Sequence, residues 1–137
     1  MTAKLSVHDA LIYVMVTMSA VDKLMSDNEL RKIGNIVSQL PAFAKFDPEK
    51  LVKTAEACGE ILSDEEGLEQ VLKLVAGALP KKLHETAYAL AVEVAATDRD
   101  VRDEELRFLE LLRDELRLDT LIVAAIERGA RARYQAV

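Results

Sequence analysis

The segments Ala20-Val21-Asp22-Lys23-Leu24-Met25-Ser26-Asp27-Asn28-Glu29-Leu30-Arg31 and Ala96-Thr97-Asp98-Arg99-Asp100-Val101-Arg102-Asp103-Glu104-Glu105-Leu106-Arg107 lie 76 positions apart. They share the string Asp-x-x-Φ-x-Asp-x-Glu-Leu-Arg, with Met25 or Val101 at the apolar place Φ. Extended outward, the same offset pairs Leu5–Val37 with Lys81–Arg113 without a gap and gives eight identical pairs, His8 with His84 among them. Self-similarity at a fixed offset marks a duplicated supersecondary unit. Each copy reads as an enclosed helix, an acidic turn and an amphipathic helix, so two hairpins are expected to pack about a pseudo-two-fold axis.

The rest of the chain supports an all-α reading. Apolar residues recur at three- and four-residue spacing, and strand-like alternation is missing. Ser6-Val7-His8-Asp9 opens a first helix, which continues through the apolar stretch Leu11–Val21. Ser26-Asp27-Asn28-Glu29 is a capping box for a second, which carries Leu30, Ile33, Val37 and Leu40 inward and stops at Pro41. Asp47-Pro48 starts a third, with Leu51, Ala55, Cys58 and Leu62 inside. Ser63-Asp64-Glu65-Glu66 is expected to repeat the capping box for a fourth, with Leu68, Val71, Leu72, Val75 and Leu79 inside. Pro80 opens a fifth, apolar nearly all round through residues 87–96. Asp103-Glu104-Glu105 begins a sixth with Leu106, Leu109, Leu112 and Leu116 inward, and Asp119 caps a seventh through Leu121, Ile122, Ala125 and Ile126. The expectation is one compact domain, 1–137, of about seven helices.

Composition narrows the function. With 137 residues, half of them apolar, one core suffices. Basic residues number 18 against 24 acidic, a formal charge of −6 that disfavours nucleic acid and suits cations. The lone cysteine, Cys58, and the missing signal-peptide layout point to the cytoplasm, and the longest apolar stretch is too short for a transmembrane segment. No phosphate loop, Cys-x-x-Cys or His-Glu-x-x-His occurs, and Cys58 falls on an apolar stripe, so a nucleophilic enzyme is not expected.

The two acidic turns, the all-helical pattern and the size resemble the TerB-like family over essentially the whole length. Family turns commonly read Ala-x-Asp-Gly-x-Φ-x-x-x-Glu; Lys23 and Arg99 stand here at the glycine place. The resemblance implies that Asp22, Asp27, Glu29, Asp98, Asp103 and Glu105 form the functional acidic set, in a non-enzymatic protein of tellurite resistance or chemical-stress response. It also implies metal binding as an activity, and a second reading as a protein-interaction module like the N-terminal domain of the co-chaperone DjlA. A protein partner in a stress-response or membrane-associated complex would follow.

The residues bear on that implication in two ways. Crowded carboxylates repel one another, and a divalent cation such as calcium, manganese or zinc relieves the repulsion. The second turn holds five carboxylates between Asp98 and Glu105, with Arg99 and Arg102 as internal counter-charges. Against this, first-turn acids favour a helix N-terminus by themselves, and Glu29 already has a use as the partner of Ser26. An EF-hand does not match, because counting from Asp98 puts Arg102 at position 5 and Asp103 where glycine belongs. Glu93 interrupts an apolar helix at the place where the first copy has Thr17; if buried it must be paired, hydrogen-bonded, metal-bound or protonated, and the plainer outcome is a lysine or arginine partner or partial exposure. His8 and His84 open their helices; with the central helices antiparallel, His8 would approach the end bearing Asp98, and otherwise both are plain first-turn residues. The tail from Arg128 to Tyr134 is basic, as suits a helix C-terminus, an acidic partner or a membrane surface.

Overall fold

Local start signals fix most of the helices. Ser6 Oγ accepts the Asp9 N–H at 3.0 Å, and α1 runs Val7–Ala20. Ser26 and Glu29 form the reciprocal capping box: Ser26 Oγ accepts from Glu29 N at 3.2 Å, while Glu29 Oε1 accepts from Ser26 N at 3.3 Å. The resulting α2, Asp27–Gln39, ends as Leu40 turns extended before Pro41. Asp47 Oδ1 accepts the Glu49 N–H at 3.0 Å, and a 3-10 turn at Pro48–Lys50 leads into α3, Leu51–Leu62. Then come α4, Gly67–Ala78, and α5, His84–Ala96, the latter entered from Pro80 through a 3-10 turn. α6 is Asp103–Glu115, and α7 is Thr120–Arg133, capped by Asp119 Oδ1 on the Leu121 N–H at 2.7 Å. The computed structural model describes residues 5–20, 25–97 and 103–137, and among these the α-helices are the seven named.

α1 is the centre of the core. Every residue from Ala10 to Ser19 is buried, and the helix packs against α2, α3, α4 and α5. A segment apolar on all faces is stable only when enclosed on all faces. α5 is the second central element, packed against α1, α6 and α7. α2 and α6 begin at Asp27 and Asp103, positions related by the 76-residue offset, and each has 13 residues. Among the described residues no helix is long and apolar enough to cross a membrane.

Three expectations fail for packing reasons. Ser63 does not cap α4: its N–H bonds the Gly59 carbonyl and its Oγ donates to Glu60 O at 2.7 Å, so it closes α3. α4 starts four residues later at Gly67, where an added Cβ would lie 2.0 Å from the Ile61 carbonyl oxygen, an approach only glycine permits. On α6 the buried face is Glu105, Phe108, Leu109 and Leu112, which turns Leu106 outward to 49% exposure. On α7 the inner face is Val123 with half-buried Ile122 and Ile126, leaving Leu121 and Ala125 in solvent.

Candidate functional site

The carboxyl-terminal ends of α1 and α5 meet at one cleft of about 270 Å³. Met18 and Ser19 come from α1, and Val94 and Thr97 from the end of α5. Ser26, Asn28, Glu29, Lys32, Ile33 and Ile36 come from α2 and its cap, and Glu105 from α6. Its lining is mixed: the apolar side chains of Met18, Ile33, Ile36 and Val94 stand beside hydroxyls, an amide, one ammonium and two carboxylates. Those carboxylates, Glu29 and Glu105, occupy equivalent places in the two halves of the sequence.

The six predicted acidic residues divide into three pairs. Glu29 and Glu105 share the cleft, Glu29 half-buried and Glu105 only 6% exposed. Both carboxylates are engaged: Glu29 sits in its capping box, and Glu105, although buried, is not left without a partner. Asp27 and Asp103 are exposed in the first turns of α2 and α6 and do not line the cleft. There they favour the positive end of each helix dipole. Asp22 and Asp98 lie outside the described residues. Among the described residues no three His, Cys, Asp or Glu side chains come together as a metal-holding group. Calcium seeks six to eight oxygens and zinc usually four ligands, so Asp27, Glu29, Asp103 and Glu105 are not by themselves a metal centre.

The histidines are placed away from this cleft. His8 packs with Phe43 (ring centroids 5.8 Å apart) and Phe46 (5.3 Å). Ten residues, about 15 Å of helical rise, separate it from Met18 at the cleft. Thr97 lines the cleft with Met18 and Ser19, so the antiparallel arrangement that would have brought His8 to that end of α5 does not occur, and the reading of His8 as a first-turn residue apart from the acidic set stands. His84 Nε2 lies 3.2 Å from the Leu79 carbonyl oxygen, a structural contact between its helix and the preceding turn.

Glu93, whose side chain is 24% exposed, accepts the Tyr134 hydroxyl at 2.5 Å and faces Arg133 Nε at 3.9 Å, which meets the expectation of an arginine partner with partial exposure. That carboxylate raises the Tyr134 pKa, since it stabilises the protonated phenol. The register-equivalent Thr17 is fully buried, with Oγ1 3.6 Å from Cys58 Sγ, and the thiol donates to the Tyr13 carbonyl at 3.7 Å. Burial pushes the Cys58 thiol up to about 11, despite the opposing contact with Thr17, so it stays protonated and serves packing. Sequence reasoning missed the buried Tyr88, which donates to Glu127 Oε2 at 2.5 Å and ties α5 to α7; burial first, then that carboxylate, raises its pKa. It also missed Ser19, Lys32 and Thr97 at the cleft, whose residue types carry no local signal of convergence.

A family profile described as tellurite resistance protein TerB matches residues 8–128. The chain belongs to the TerB tellurite-resistance family. That span runs from the first turn of α1 into α7, and so includes both acidic segments of the sequence and every residue that lines the cleft. Searches of curated proteins and of solved structures gave no significant match.

Proposed function

We propose that this TerB-family chain is a non-enzymatic, cytoplasmic protein of tellurite or chemical-stress resistance, and that it acts by taking a cation at the cleft lined by Glu29 and Glu105. The observation that carries the reading is that Glu29 and Glu105, 76 positions apart in the chain, line one cleft. Duplication about a pseudo-two-fold axis accounts for the pairing. Two carboxylates beside apolar side chains in one cleft suit a cationic group. A divalent ion needs more oxygens than this pair offers, so Asp22 and Asp98, at the start of each shared string, are the further ligands the reading requires. The anionic rim disfavours an oxyanion such as tellurite as the direct ligand.

The test is a thermal melt of wild type and of the Asp22→Asn/Asp98→Asn double variant, titrated with calcium, manganese and zinc. An ion at 100 times its Kd stabilises wild type by about 2.7 kcal/mol, and the double variant loses that gain. A second reading, a protein-interaction module whose acidic residues only cap helices, is favoured by the capping box at Ser26 and Glu29. A wild-type melting temperature indifferent to all three ions selects it.

A further inference from the structure

A second concavity, a groove of about 470 Å³, lies between the carboxyl end of α2 and the link of residues 41–50. Its volume falls in the range of small-molecule sites, and its lining is mainly apolar and aromatic with a few polar groups, Ser38, Gln39 and Lys45, in the way such sites are. Val37, Phe43 and Leu51 are each at most 8% exposed, and half-buried Phe46 stands beside them. Lys45 is the sole charged side chain in the lining, and it forms no ion pair with any described residue. The nearest acid in sequence, Asp47, uses Oδ1 to cap Glu49 N and does not line the groove. Lys45 also holds a left-handed backbone, φ 69°, a conformation disfavoured by any residue with a Cβ, at the point where the chain turns between two 3-10 segments. A mainly apolar trough edged by one exposed cation with no ion-pair partner among the described residues is complementary to a molecule with an apolar body and one negative head.

We propose that this groove binds a small anionic amphiphile, a carboxylate on an unbranched hydrocarbon chain. The hydrocarbon packs on Val37, Phe43, Phe46 and Leu51, and the carboxylate pairs with Lys45. The carboxyl end of α2 also lines the groove; its last turn has no basic residue and its carbonyls repel an anion, so the head group pairs with Lys45. The site is separate from the cleft: the two share no lining residue.

The experiment is an NMR titration of the ¹⁵N-labelled chain with sodium decanoate below its micelle concentration, beside decanol as a neutral match, for wild type and Lys45→Gln. Decanoate is expected to give saturable shifts confined to residues 34–51. Lys45→Gln weakens it by about fivefold, the weight of one solvent-exposed charge pair, and leaves decanol unchanged. Shifts that fail to saturate overturn the proposal, as do equal effects of Lys45→Gln on both ligands. So does tighter binding of an apolar peptide with a free terminal carboxylate than of decanoate, which would make the groove a protein-docking surface. A thermal melt of Lys45→Gln matching wild type shows that a lost response is not a lost fold.

Discussion

The α1–α2 and α5–α6 halves start from one pattern and put it to different uses. Glu29 and Glu105 stand at the same place in their helices, yet Glu29 is half-buried and bonds back to Ser26, whereas Glu105 is 6% exposed. Arg102 stands where the first half has Ser26, so no serine hydroxyl is present to hold the second glutamate in a capping box. The same divergence separates Thr17 from Glu93. Thr17 faces the interior against Cys58, while Glu93 meets Tyr134 and Arg133 at the end of α7. Equivalent register fixes which turn of a helix a residue occupies. The elements packed on that turn decide what the residue does there: α1 is covered by α3 and α4 on its outer sides, α5 by α7.

Exchanging residues between the halves breaks this contrast most severely. Thr17→Glu places a carboxylate at a fully buried position beside Cys58 and is expected to cost several kcal/mol, enough to unfold much of the population, as read by far-ultraviolet circular dichroism. Glu105→Ala leaves both a void and the groups that met the carboxylate, at about 2–3 kcal/mol in urea denaturation. Alkali probes the Thr17 environment without mutation. The Cys58 thiol titrates near 11 when folded and about 9 when unfolded, so the stability it contributes is intact below pH 9 and is lost as pH rises through 11. About 2 kcal/mol of the wild-type stability is expected to disappear over that window in denaturant titrations, and Cys58→Ala should flatten the slope. Ser26→Ala removes one half of the capping box and costs about 1 kcal/mol, with no counterpart at Arg102. Tyr134→Phe releases Glu93 at a partly exposed site and costs about 0.5 kcal/mol, a small drop in melting temperature with the core untouched.

Helix starts were legible because capping is a local matter: Ser6, Ser26, Asp47 and Asp119 each bond a backbone N–H within three residues. The face a helix buries is not local. Leu106 and Leu121 point outward because Glu105, Phe108 and Val123 meet the core instead, and nothing within a single turn says which side the neighbour lies on. Ser63 illustrates the competing outcome, since the same serine that starts a helix elsewhere here ends one. Of the acidic residues, the duplicated string was enough to single out Glu29 and Glu105 but not to distinguish them from Asp27 and Asp103. Both pairs sit in first turns, and only the crossing of α1, α2, α5 and α6 selects the pair that faces the cleft.

Among the glycines, Gly67 is the point of fracture. Its α-carbon nests so closely against the Ile61 carbonyl that even a methyl group has nowhere to go, while neither concavity borders it. A one-residue replacement there dismantles the joint between α3 and α4 and leaves every rim residue chemically intact, so binding lost through collapse is separable from binding lost through chemistry.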